Sequence, residues 1–274
     1  MLGHHLKIIG RGIIRQKGYS FINIAGLAVG MACCLLITLW IMDVLSYDKF
    51  HANAGNLRMI LTQGSVKDNP ATPAPLAPAL ADRFPEIHLA TRYDQFYSGL
   101  FSYENAEFQE SGIAAVDPSF LEMFTFPLVK GDSRSALTDQ NSIVISEATA
   151  QEYFANADPM GKVLTMDHSR KFTVAGVFTD VPRNSSLQFD MLVPFEVQMI
   201  EAKKRTGWDM GWEWNRPLTF LMIRDGCALD DLHRKISEFY RMRIEEEKHA
   251  LSTIPFTDRV LFFSGIGKYI VIFS

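Results

Sequence analysis

The chain has 274 residues, 47% of them hydrophobic and 21% charged, with a net charge of −4. That is enough apolar material for a folded domain and excludes a charge-dominated disordered chain. Lys7, Arg11, Arg15 and Lys17 give the first seventeen residues +4 and leave −8 on the remainder, which excludes nucleic acid as a partner of the main domain.

Residues 1–17 read as a cytoplasmic amphipathic segment. On a helix, Leu2, Leu6, Ile9 and Ile13 share one side, and Lys7, Arg11 and Arg15, spaced i, i+4, i+8, form a positive stripe on the other. From Gly18 to Met42 no side chain is charged. About 20 apolar residues cross a bilayer as a helix, so residues 18–45 are expected to span the membrane. The basic residues precede the run while Asp43 and Asp48 follow it, which puts the amino terminus inside and the rest outside. A cleaved signal peptide would have a shorter apolar core and a small-residue cleavage site, and Leu45-Ser46-Tyr47-Asp48 offers none. Within the run Gly26 and Gly30 have the spacing that lets a second helix approach closely. Cys33 and Cys34 also lie there, leaving Cys227 alone outside, so no internal disulfide is expected.

Beyond the membrane, residues 46–266 form the expected outer domain. Strands are expected at Asn56–Gln63, Thr91–Phe96, Gly99–Tyr103 and Phe108–Val116, with a short helix over Leu76–Phe84 closed by Pro85. Asp117 is placed to cap a second short helix opened by Pro118. Ser142–Ser146 reads as a buried strand handing directly to a helix, Glu147–Phe154, capped by Ser146. Further strands follow at Val163–Met166, Lys171–Phe178, Phe189–Phe195 and Pro217–Arg224, then a long charged helix over Leu229–His249. Strands and helices mixed without strict alternation indicate an α+β domain. The Gly- and Trp-rich stretch Gly207–Pro217 reads as a loop between two halves, with a division into two subdomains left open.

Motifs for chemistry are missing. Gly161-Lys162 lacks the hydroxyl residue and the first glycine of a phosphate loop, since Val163 and Asn156 stand there. No G-x-S-x-G, H-E-x-x-H or paired-cysteine spacing occurs. The neighbours Asp48/His51 and Asp167/His168 read as turns rather than metal ligands. Trp208, Trp212 and Trp214 read as core or subdomain contacts rather than an exposed ligand platform. No catalytic residue, cofactor or metal is expected.

Several stretches in order, RQKGYSFINIAGLAVGMACCLLI, SYDKFH, PAPLAPAL, FPEI, NSIVISEATAQEYF, DPMGK, FTVAGVFTDVPRNS and PFTD, resemble the MacB/FtsX-like permeases of ABC transporters. The resemblance implies a MacB-like periplasmic core domain after the first spanning helix and three later spans. Residues 267–274 are then expected to begin a second apolar segment of an incomplete permease. It also implies a non-enzymatic permease in a bacterial inner membrane, driven by a separate cytoplasmic ABC ATPase. A second permease copy or paralogue, a periplasmic adaptor and membrane lipid are its expected partners. Lys7, Arg11 and Arg15 would then face the ATPase or anionic headgroups. Ala155 departs from the glycine that similar members often carry after Phe. The alternative function is a membrane-anchored extracytoplasmic sensor or ligand-binding domain.

Overall fold

The computed structural model describes residues 17–63, 68–95, 98–104, 106–244 and 250–264. The basic segment with Lys7, Arg11 and Arg15, the run 267–274 and the expected helix end at 245–249 lie outside them. Two units are present, one ending at Ser46 and one beginning at Tyr47.

In the first, helix α1 (Lys17–Ser46) has 30 residues and no buried side chain. At 1.5 Å per residue it is about 45 Å long, and it is long and apolar enough to cross a membrane. The hydroxyl of Thr38 donates to the Cys34 carbonyl oxygen one turn back, which satisfies a polar group within the apolar helix.

The second unit contains, in order, β1 (Leu57–Thr62), β2 (Ala71–Pro73), α2 (Leu76–Arg83), β3 (Ile87–Gln95), β4 (Gly99–Tyr103), β5 (Ala106–Glu110), β6 (Ile113–Val116), α3 (Phe120–Met123), β7 (Leu128–Lys130) and β8 (Ser142–Ser146). There follow α4 (Glu147–Phe154), β9 (Val163–Met166), β10 (Arg170–Phe178), β11 (Met191–Pro194), α5 (Phe195–Thr206), β12 (Asn215–Ile223), α6 (Leu229–Ile244), β13 (Leu251–Pro255) and α7 (Arg259–Ser264). The strands form one mixed sheet in the order β13-β1-β12-β3-β6-β11-β8-β10-β9-β4-β5, with β2 on β12 and β7 on β10. The pairs β8/β10 and β6/β11 are parallel, and the chain between each pair includes a helix, as parallel connections require.

The register sorts the side chains into two unlike faces. Leu57, Met59, Phe220, Tyr93, Val116, Leu192 and Val144 share one face with Phe120, Phe124, Phe189 and Phe256, a single aromatic-rich core running under both halves of the sheet. The opposite face carries two cores. Ile60, Leu221 and Ile223 pack with Leu80 of α2 and Ile236 and Tyr240 of α6. Ile143, Ile145, Met191 and Val193 pack with Phe154 of α4 and Phe195 of α5.

Several expected elements coincide with the observed ones: β4, β8, α4 and β9 agree to the residue, and Ser146 Oγ accepts the Thr149 N–H as the cap of α4. Three expectations need correction. Phe108–Val116 is not one strand but β5 and β6, broken at Ser111-Gly112. Of Phe189–Phe195 only Met191–Pro194 is strand, because Phe195 opens a helix that has Glu196 in its first turn, basic residues in its last and Gly207 as its left-handed cap. Asp117 does not cap α3; Ser119 holds that position but its hydroxyl donates to Ala90 O rather than capping the helix, and the Asp117 carboxylate is drawn to Arg92 instead. Strands β2, β7 and β13 had no expected counterpart.

Ala155 ends α4 with φ 50° and ψ −111°, a conformation strained for any residue with a Cβ. Ala155→Gly is therefore expected to raise the unfolding free energy by about 1 kcal/mol, strain relief outweighing the greater entropy of an unfolded glycine. Urea denaturation measures it, and a loss of stability would refute the strain.

Candidate functional site

Three stretches far apart in sequence meet where the chain enters the domain from α1 and where it turns into α7. The Asp48 backbone N–H donates to Asn184 O at 2.9 Å. The Ser186 N–H donates to Asp48 Oδ1 at 2.7 Å, and Arg259 Nη1 donates to Ser186 O at 2.6 Å. The 184–186 turn thus bridges residues 48 and 259. Asp48 is 0% exposed and sits in the left-handed region at φ 58°, which Asp tolerates better than most residues. Burial raises its pKa, opposed by its bonds to Ser186 and by the charge of Arg259. Burial likewise lowers the pKa of Arg259, opposed by Tyr93 and Asp48.

Beside this clasp, His51 is 3% exposed, with ring centroids of Phe50, Phe124, Phe126 and Phe256 between 4.1 and 5.5 Å away. Its Nδ1 accepts the Thr125 N–H at 3.0 Å, so the proton of the neutral ring is on Nε2. The Ala52 N–H donates to Thr125 Oγ1, and Asn53 Nδ2 donates to Met123 O. Residues 51–53 are thereby fastened to the end of α3.

Burial lowers the His51 pKa to about 4. In the unfolded chain it titrates near 6.5, so between these values the unfolded state binds more protons. The stabilisation from a neutral His51 is complete above about pH 6.5 and is lost as pH falls toward 4, a change of roughly 2–3 kcal/mol. Denaturation curves over that range should slope less for His51→Asn than for the parent; equal slopes would show that His51 does not set the dependence.

A second polar group lies on the split face, between the two smaller cores. Arg92 of β3 donates from its guanidinium to both oxygens of Asp117 and from its backbone N–H to Oδ2, and its Cζ lies 3.9 Å from the Phe195 ring centroid. Asp94 accepts from Gln198 Nε2 at 2.7 Å and from Arg216 Nε at 2.8 Å. Thr72 and Thr219 share a buried hydroxyl contact nearby. Helix α5 therefore docks on β3 through charged groups as well as apolar ones.

Gly26 and Gly30 are exposed on α1, with nothing within 4 Å of a Cβ built at either. The tryptophans separate. Trp208 is 75% exposed, Trp212 packs on Phe239, and Trp214 lies against the core under α5. Asp48, Asp167 and His168 all have positive φ and do form turns. Cys227 packs against the core under α6, and burial raises the pKa of its thiol. Among the described residues no group of three or more His, Cys, Asp or Glu side chains could hold a metal. Ser186 and Arg259 were not singled out by sequence; their signal was adjacency to the VPRNS and PFTD stretches.

Residues 20–239 match the family model for the MacB-like periplasmic core domain. No match was found among curated proteins. Among solved structures, a domain of a candidate permease protein from Porphyromonas gingivalis is 27% identical, with a TM-score of 0.63 over 75% of this chain and 92% of that one. The periplasmic region of MacB from Actinobacillus actinomycetemcomitans is 16% identical, with a TM-score of 0.56 over 81% and 94%. The extracellular domain of the noncanonic ABC-type transporter YknZ from Gram-positive bacteria is 12% identical, with a TM-score of 0.53 over 73% and 100%. An apolar helix long enough to span a membrane, a mixed-sheet domain behind it and a family match across both make this chain a member of the MacB-like periplasmic core domain family of ABC transporter permeases.

Proposed function

We propose that the chain is a permease subunit that couples ATP hydrolysis by a separate cytoplasmic ATPase to export or extraction of a substrate outside the membrane. The carrying observation is the clasp, in which residue 48, two positions beyond α1, and residue 259 are bridged through the 184–186 turn. A displacement of the segment after α1 would reach the segment that opens α7 through hydrogen bonds rather than a slack loop. The permease catalyses nothing itself. Its amino terminus lies in the cytoplasm, Lys7, Arg11 and Arg15 face the ATPase or anionic headgroups, and Gly26 and Gly30 give a second permease copy a close approach.

Reporter fusions after Ser65 and after Leu229 should both behave as exported, and a cytoplasmic signal from either overturns the orientation. A cytoplasmic ATPase should co-purify with the permease in neutral detergent. Charge reversal at Arg11 and Arg15 should reduce its recovery if the stripe is the contact. Failure of any ATPase to co-purify with the unmodified permease overturns the coupling role.

A further inference from the structure

The loop between α5 and β12 has no part in the clasp, and its construction is specific. Gly207 closes α5 at φ 78° with its N–H on Lys203 O. The Trp208 N–H donates to Thr206 Oγ1 at 3.2 Å, Lys203 Nζ lies 3.0 Å from the Asp209 carboxylate, and Met210 is buried as the apolar anchor. These restraints hold the Trp208 indole out in solvent at 75% exposure, although burying so large a side chain would be favourable.

Beside it is a depression of about 730 Å³ lined by Trp208, Trp212, Trp214, Asp209, Glu213 and Asn215, a volume within the ordinary range for small-ligand sites. Its lining side chains are aromatic, acidic or amide, with no cation among them. Lys203 takes up the charge of Asp209, while Glu213 is exposed and makes no ion pair among the described residues. Indole faces attract cations electrostatically. Trp212 already receives one, since the Arg243 guanidinium carbon is 5.7 Å from its ring centroid.

We propose that this loop binds an organic ammonium ion, its alkyl or aryl groups against the indoles and its charge met by Glu213. An anion would be repelled by the carboxylates. A bare metal ion would lack converging ligands, as no such group exists among the described residues. The inference does not depend on the transport role.

The test uses the whole chain carrying Trp40→Phe in a non-ionic micelle, so that the three loop indoles alone fluoresce. Phenyltrimethylammonium is titrated in, with benzyl alcohol and benzenesulfonate as neutral and anionic controls. The expected result is a saturable emission change with Kd at or below about 1 mM for the ammonium alone. Glu213→Gln should weaken it about five-fold and Trp208→Ala about ten-fold. Both side chains are exposed, so neither change threatens the fold. A non-saturable response, equal binding of either control, or an unchanged Kd in Glu213→Gln overturns the proposal.

Discussion

Asp117→Ala is expected to lower the unfolding free energy by about 3–5 kcal/mol, because it strands the Arg92 cation in a site built for a carboxylate. Arg92 is buried, and without Asp117 its guanidinium keeps only neutral acceptors close by, Ala74 O at 3.3 Å and Met199 Sδ at 3.7 Å, while the half-exposed Glu196 carboxylate lies at 4.0 Å. Arg92→Met should cost less than half as much, since the methionine still covers Phe195 and Asp117 still accepts the backbone N–H of residue 92. Urea denaturation of the two variants decides it. Equal losses would mean that packing on Phe195, rather than the unpaired charge, sets the energetics.

Arg259→Ala should be the second most damaging change, by about 2–4 kcal/mol at neutral pH, because it leaves the Asp48 carboxylate buried without the charge that opposes its desolvation. Asp48→Asn should be milder, since an amide oxygen can still accept the Ser186 N–H and Asn tolerates the left-handed backbone. In Arg259→Ala the pKa of Asp48 stays above its unfolded value and rises further. The folded state then binds the extra proton, and stability recovers as pH falls through that raised value toward 3.8. Arg259→Ala and the Asp48→Asn/Arg259→Ala pair, compared at pH 7 and pH 5, give the coupling. If the double variant is no more stable at pH 7 than Arg259→Ala alone, the two charges do not interact.

Much of the domain was legible from local chemistry. The switch from SIVIS to EATAQEYF lies in three consecutive β-branched apolar residues and the hydroxyl cap Ser146 right after them, both properties of consecutive residues, and the strand and helix fell where expected. What stayed hidden depends on partners distant in sequence. Phe189–Phe195 looks like one apolar strand, yet Phe195 is withdrawn from the sheet to lie over Arg92. Asp117 has the chemistry of a helix cap, and only the fold brings a guanidinium close enough to outbid α3. The clasp is the extreme case: Asp48, Ser186 and Arg259 share no periodicity, and 138 positions separate the first two.

The clasp also decides how the domain bears load. β1 and β13 pair antiparallel with Arg58 opposite Pro255, so the start of one and the finish of the other lie at the same end of the sheet. Tension drawing those two ends apart would peel the ladder one hydrogen bond at a time, the weakest way to stress a strand pair. The 184–186 turn joins the chain ahead of β1 to the chain behind β13, so it takes up that tension first. A pull on those two ends would therefore have to break the hydrogen bonds of the clasp before it could unzip the edge of the sheet.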